Sequence, residues 1–183
     1  MTNTERGYWR QDLDVFGGWR CVASEPSLWA VLTYRFGRWA RGRGPILRGV
    51  HLIAYSIVRL VTGIDLPVQA EIGPGLRIFH FGGIIINPNT KIGARCRLRQ
   101  GVTTGVRITG GLSPTIGDDV LIGAYAQILG GITIGDRAAI GSLAIVLEDI
   151  PADSKVIGVK AKILSTNVAP NSEIHMPEHA EKR

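Results

Sequence analysis

Residues Thr115–Leu147 read TIGDDVLIGAYAQILGGITIGDRAAIGSLAIVL, and an aliphatic residue returns at every sixth position. Ile116, Ile122, Ile128, Ile134, Ile140 and Val146 share one register, and Gly follows at 117, 123, 135 and 141. A period of six matches neither the 3.6 of a helix nor the 2 of an ordinary strand. It fits a parallel β-helix built from hexapeptides, one short strand and one turn each, in which three hexapeptides close a triangular coil of about 18 residues. Every sixth side chain then points inward and stacks on its counterpart in the next coil, about 4.8 Å away. Small residues four places after the aliphatic one, at Thr90, Cys96, Ala126, Ala138 and Ala144, relieve crowding where the chain turns.

The register continues upstream through Ile72, Ile78 and Ile84, then through Ile86, Ile92 and Leu98 after a two-residue slip, which places an insertion near residues 80–84. From Val68 to Ile163 the texture supplies about five coils. The polar and Gly-rich stretch GVRITGGLSP between Thr104 and Thr115 breaks the pattern and reads as a loop projecting from the prism. Residues 1–64 have helical texture instead. PSLWAVLTYRFGRWARGRG starts with Pro26 at a first helical turn and stops at Gly42 and Gly44, with Leu28, Leu32, Arg35 and Trp39 on one face. A second helix runs from about Pro45 to Val61. The last segment, STNVAPNSEIHMPEHAEKR, has almost no apolar content and is expected to be a mobile polar tail over residues 165–183. The expected chain is a helical region (1–64), an all-β β-helix domain (65–164) and that tail.

At 183 residues and 45% apolar content the chain suits one compact domain. Its formal charge of +6 favours anionic partners. Its aromatics do not interleave with Lys and Arg as in base-stacking modules, so nucleic acid is not expected. The opening MTNTERGYWRQDLDVFGGW has no uninterrupted apolar run, and the two cysteines, Cys21 and Cys96, lie far apart, so a reducing cytoplasm is the expected location. The most apolar segment, GVHLIAYSIVRLVTGI from Gly49 to Ile64, carries His51 and Arg59 and is too short to span a bilayer. It could lie on a membrane surface, but packing of this helix on the prism end explains the same pattern and is the favoured expectation.

A prism of repeats is a scaffold, so chemistry must come from residues that break the repeat. His80 does so, in RIFHFGGII beside the two-residue slip. The runs GIDLPVQAEIGPGLRIFHFGGIIINPNTKIGARCRLRQGVTTG and PTIGDDVLIGAYAQILGGITIGDRAAIGSLAIVLEDIPADSKVIGVKAKIL resemble the serine O-acetyltransferase family of hexapeptide-repeat acyltransferases. TYRFGRWARGRG resembles the end of that family's helical N-terminal region. The resemblance implies a left-handed parallel β-helix, a homotrimer, acetyl-CoA in the groove between neighbouring prisms and no required metal. His80 matches the general base and Asp65, in GIDLP, the Asp that orients it. Ala124 in IGAYA and Ser142 in IGSLA match positions that hold the pantetheine arm. Lys160 and Lys162 in VIGVKAKIL stand where the family's cofactor-end motif has Pro and Arg, and would meet the phosphates of CoA.

Three departures bear on the acceptor. Serine-specific members carry Asp immediately before the general base, where this chain has Phe79, and an Arg-His pair where it has Leu112 and Ser113. A zwitterionic amino acid needs such charges. Phe79, Phe81 and Ser113 suit a sugar hydroxyl better, and the texture resembles the polysaccharide O-acetyltransferase branch of the family. The expectation is therefore a sugar acceptor, with serine as the alternative. A zinc-dependent carbonic anhydrase would need three His ligands per site, and the four His residues (His51, His80, His175, His179) offer a close pair only in the tail. A noncatalytic trimeric scaffold is the rival from another class.

Overall fold

The computed structural model describes residues 5–158. Helices α1 (Glu5–Phe16), α2 (Pro26–Ala40) and α3 (Pro45–Thr62) come first, with a 3-10 turn at Trp19–Val22. Strands of two or three residues then wind into a left-handed parallel β-helix of about five turns. One face stacks β1 (Ile64–Asp65), β4 (Ile84–Ile85), β7 (Thr103–Gly105), β10 (Gln127–Leu129) and β13 (Ile145–Val146). A second stacks β2 (Glu71–Ile72), β5 (Lys91–Ile92), β8 (Thr115–Ile116) and β11 (Thr133–Ile134). The third stacks β3 (Arg77–Ile78), β6 (Arg97–Leu98), β9 (Leu121–Ile122), β12 (Ala139–Ile140) and β14 (Lys155–Val156).

Register locates the irregular coils. Ile116 pairs with Ile134, 18 positions on, as an unbroken coil requires. Ile78 pairs with Leu98, 20 positions on, so the expected two-residue insertion is real and falls between β3 and β4. Ile92 pairs with Ile116, 24 positions on, because residues 106–114 project between β7 and β8. The columns of Ile72, Ile78, Ile84, Ile92, Ile116, Ile122, Ile128, Ile134 and Ile140 are buried and form the core. Thr104 takes one column position where an aliphatic residue is expected. Its buried hydroxyl is satisfied by Thr90 Oγ1 at 2.8 Å and by the Asn87 N–H at 3.0 Å, so no penalty for an orphan polar group remains. The Gly after the aliphatic residue answers to close approach: a Cβ at Gly123 would collide with the Ser142 nitrogen and lie 2.7 Å from the Gly141 carbonyl carbon one coil on.

The helices are pinned to the first coil by a buried polar cluster. Asp12 and Arg35 pair at 2.7 Å with almost no exposure. Asp12 Oδ1 also accepts the N–H groups of Gly75 and Leu76, and Arg35 donates to the carbonyls of Ile72 and Gly73. Each charge is thus both paired and hydrogen-bonded, the condition under which a buried ion pair persists. Tyr34 adds a 2.7 Å bond to the Ala70 carbonyl. The buried stripe of α2 is Leu28, Val31, Tyr34 and Arg35 with small residues at 27, 30, 37 and 40; Leu32 and Trp39, expected on it, are only partly covered.

Helix α3 corrects one expectation. Packing on the prism was to account for its apolar residues, yet only His51 and Thr62 are buried. Ile46, Val50, Leu52, Ile53, Ile57, Leu60 and Val61 all remain exposed, because α2 and β1 touch only its other side.

Candidate active site

The turn from the third face to the first face repeats in every coil and forms one corner of the prism. In successive rungs it carries residues 79–83, 99–102, 123–126 and 141–144. Backbone bonds hold the rungs in line: Gly101 N–H donates to the Gly82 carbonyl, Tyr125 to Gln100 and Leu143 to Ala124, each at 2.9 Å. Gly82, Gln100, Ala124 and, one regular coil on, Ser142 therefore occupy equivalent places, one above another, and His80 stands two residues before Gly82 in the insertion at the same corner. Three residues expected in the site, His80, Ala124 and Ser142, come together on this single corner.

His80 is exposed, at a bend in the two-residue insertion, and makes no hydrogen bond among the described residues. An exposed imidazole with both nitrogens free can meet a substrate hydroxyl directly. Phe79 and Phe81 flank it, both exposed. Two cations stand by Phe79: the Arg77 guanidinium carbon lies 5.5 Å and that of Arg99 5.8 Å from the ring centre. Arg77 is also 4.0 Å from the Phe16 ring and 3.7 Å from Glu25, whereas Arg99 is exposed. Gln100 places its side-chain Oε1 in a buried position with no partner, on the rung next to His80.

Asp65 lies on β1, paired with Ile85 just past the insertion. Its carboxylate accepts a hydrogen bond from the Tyr55 hydroxyl and another from Arg59 Nη1 at 3.4 Å, and no bond joins it to His80 within the chain. Burial first, and then the bond to Asp65, push the Tyr55 hydroxyl up to about 12. Asp65, Tyr55, His51, Gln69, Ile85 and Asn87 line a cavity of about 440 Å³ between α3 and the first two coils. The Ser113 hydroxyl, at the end of the projecting loop, bonds Asn87 Oδ1 at 2.8 Å and so ties the loop to the rim of that cavity. His51 is a packing residue: it stacks with Tyr55, tilts against Phe36, and burial lowers its pKa. Lys160 and Lys162 lie outside the described residues. Among the described residues no three His, Cys, Asp or Glu side chains gather into a metal site.

Sequence reasoning missed Arg99, Gln100 and Tyr125. The coil lengths contained the signal, since positions 100, 124 and 142 follow the same 24 and 18 spacings as the strands.

Comparison with known proteins agrees with this arrangement. Residues 113–147 match the bacterial transferase hexapeptide (six repeats) family. A serine acetyltransferase of Helicobacter pylori is 36% identical over 152 residues, which cover 80% of this chain and 86% of the relative. The chain belongs to the serine acetyltransferase family. A second serine acetyltransferase, from Mycobacterium tuberculosis, is 34% identical over 141 residues, covering 76% of this chain and 61% of its own length. Among solved structures, serine acetyltransferase isoform 3 of Entamoeba histolytica, in complex with cysteine, superposes with a TM-score of 0.77 at 28% identity, over 90% of this chain and 62% of that one. The soybean serine acetyltransferase complexed with serine gives 0.75 at 28% identity, over 87% and 69%. This chain thus spans less than two thirds of the Entamoeba structure, while it spans most of the Helicobacter serine acetyltransferase.

Proposed function

We propose that the chain transfers the acetyl group of acetyl-CoA to the hydroxyl of serine, with His80 as general base. The observation that carries this reading is the single corner on which Gly82, Gln100, Ala124 and Ser142 stand rung over rung, a track of roughly 14 Å at about 4.8 Å per rung, with exposed His80 in the insertion at its end. Small side chains at Ala124 and Ser142 let a thin pantetheine arm approach the backbone. The arm would run down the corner and present its thioester at His80. Neutral His80 takes the proton of the acceptor hydroxyl as that oxygen attacks the thioester carbonyl. The carbon–sulfur bond then breaks, and the imidazolium returns its proton to the departing thiolate. Lys160 and Lys162 are assigned to the CoA phosphates, and the need for acetyl-CoA fits a cytoplasmic location.

Asp65 is assigned to orient the imidazole and to stabilise its charged form. Because Asp65 is held by Tyr55 and Arg59 and not by His80 of its own chain, we assign this contact to a neighbouring copy in a homotrimer. The cavity beside Asp65 and the loop end at Ser113 would then close the acceptor site from across the interface.

Serine is favoured because the relatives are named serine acetyltransferases and two of the related structures hold serine or cysteine. The cations missing at Leu112 and Ser113 have a substitute in exposed Arg99, whose guanidinium can take the serine carboxylate. The comparisons give no support to a polysaccharide acceptor. One observation keeps a sugar hydroxyl as second reading: Phe79 and Phe81 present exposed rings on both sides of His80.

The test follows CoA release with serine and with a panel of sugars. Serine is expected to be the better acceptor, and Arg99→Ala to raise its KM about tenfold or more with a smaller change in kcat. His80→Ala should lower turnover by about a hundredfold or more while acetyl-CoA still raises the Tm by mass action. Full activity of His80→Ala would remove the mechanism. Turnover with sugars alone would replace the acceptor.

A further inference from the structure

The corner that carries His80 holds cations and aromatic rings but no carboxylate. Its rungs, residues 79–83, 99–102, 123–126 and 141–144, together with the projecting loop, residues 106–114, contain His80, Arg99 and Arg107 and not one Asp or Glu. Arg99 and Arg107 are both exposed. Two carboxylates border this region, and each already has a partner. Glu25 lies 3.7 Å from Arg77, a guanidinium beside Phe79. Asp65, the one acidic residue lining the cavity of about 440 Å³, accepts bonds from the Tyr55 hydroxyl and from Arg59 Nη1 at 3.4 Å. The parts assigned to a neighbouring copy, this cavity and the loop end at Ser113, therefore add no acidic residue beyond the one that orients His80.

An acceptor that reaches His80 finds a partner for a carboxylate in Arg99 and, among the described residues, no free carboxylate for an ammonium. Aromatic faces are the remaining way to hold a cation. The Phe79 ring is taken, with the guanidinium carbons of Arg77 and Arg99 at 5.5 and 5.8 Å from its centre. Phe81 is 53% exposed, and a cation over an exposed ring gains at most about fivefold in affinity. A charge-assisted hydrogen bond to a carboxylate is worth roughly tenfold to a hundredfold.

We propose that the site recognises the hydroxyl and the carboxylate of its acceptor and leaves the amine unread, so that the enzyme also acetylates short 3-hydroxy carboxylic acids that carry no amine. This rests on the reading of His80 as general base and Arg99 as carboxylate partner. Acetyl transfer needs only the hydroxyl. Its oxygen forms the new ester bond to the acetyl carbon, the carbon–sulfur bond of acetyl-CoA breaks, and the hydroxyl proton passes through His80 to the CoA thiolate. Beside Arg99 a protonated amine meets like charge, and an acceptor without it forfeits no bond to a carboxylate.

The test measures CoA release with L-serine, with 3-hydroxypropionate, which is serine without its amine, and with serinamide, which keeps the amine and lacks the carboxylate. The kcat/KM for 3-hydroxypropionate is expected within about fivefold of that for serine, and the value for serinamide about tenfold lower or more. Arg99→Ala should raise the KM of serine and of 3-hydroxypropionate by the same factor, about tenfold, because both are held through the carboxylate. Phe79→Asp, which puts a carboxylate beside His80, should shift the ratio towards serine by about threefold or more, with a thermal melt checking that the variant folds as the parent does. A preference of the parent for serine beyond about fivefold would overturn the inference and leave serine as the acceptor. Serinamide turned over as well as serine would overturn it too. Turnover of neither serine nor 3-hydroxypropionate would remove both this inference and the serine reading.

Discussion

Replacing Tyr125 by Gly is expected to leave stability almost unchanged and to damage use of the donor. Tyr125 sits in the left-handed region at φ 59°, where a side chain other than glycine costs about 1–2 kcal/mol. Glycine relieves that cost, but its greater freedom in the unfolded chain takes back about 0.4–1 kcal/mol. The ring is 56% exposed, so the apolar burial removed with it is worth about 1 kcal/mol at most. The three effects nearly cancel, leaving a net change within about 1 kcal/mol, or a Tm shift of about 2–4 °C for a chain of this size. A half-buried aromatic residue in an ordinary conformation would cost more. Tyr125 lies over Gly101: a Cβ there would run into its ring, with Tyr125 Cγ 2.8 Å away. Gly101→Ala should therefore cost about 2 kcal/mol, from its own φ of 73° and the displaced ring, and part of that cost should vanish in the Tyr125→Gly background. The left-handed turn is shared by Leu143 one coil on, at φ 61°, so it belongs to the coil; the functional expectation rests on Tyr125 standing exposed next to Ala124. Hence Tyr125→Gly should raise the KM for acetyl-CoA severalfold. Chemical denaturation of the four chains of the cycle and steady-state kinetics of Tyr125→Gly measure both halves. A destabilisation above about 2 kcal/mol in Tyr125→Gly, or additivity within about 0.3 kcal/mol in the cycle, would refute the reasoning.

Asp12→Ala leaves Arg35 charged and buried and strips the acceptor from Gly75 and Leu76, so denaturation should show a loss of about 3–5 kcal/mol, with helix content lost before the β-helix melts. Burial pushes the Cys96 thiol up to about 11 from an ordinary 9.0. The folded state therefore favours the protonated thiol, and that stability is whole below about pH 9 and fades as pH rises toward 11, by about 2–3 kcal/mol. A denaturation series across that window should flatten in Cys96→Ala, which the prism accepts because Ala138 occupies the same corner two coils on. At pH 8 a thiol reagent should modify Cys21 quickly and Cys96 only on unfolding. Finally, His80→Ala and Asp65→Asn chains, each weak alone, should recover activity when unfolded and refolded together if the two groups meet across copies. No recovery, with mixed oligomers shown by a tag, would place both groups in one chain.

The prism was legible because its physics is periodic. A buried column needs one aliphatic residue per six, and an insertion that is not a multiple of six shifts the register visibly, as the two-residue slip before Ile86 does. His80 was legible for the opposite reason, as a titratable group inside the one short insertion. Thr104 was not, because a threonine can fill a column only when Thr90 and Asn87 meet its hydroxyl, and those contacts join different coils. The Asp12–Arg35 clamp was hidden for the same reason, linking positions 23 residues apart to a third site near residue 75. The acceptor was read toward sugar from the residues at 79, 112 and 113, and the comparisons move it toward serine. What the residues in that pattern could not show is Arg99, one coil away from Phe79 and brought beside it only by winding.

Coil length separates the two halves of the proposed site. The regular coil from Ile122 to Ile140 repeats its corner without change, and a repeating corner is what an extended, featureless pantetheine arm requires. The two irregular coils do the opposite. Two extra residues lift His80 out of the corner, and the residues added between β7 and β8 carry the loop whose end is pinned by Ser113 to Asn87. Neither irregularity disturbs the core column, since both are absorbed outside the strands, so residues there can change without loss of stability. Acceptor choice should therefore track residues 79–83 and 106–114, while substitutions at Gly123 or Gly141, where the backbone of the next coil leaves no space for a side chain, act on the fold and the donor together.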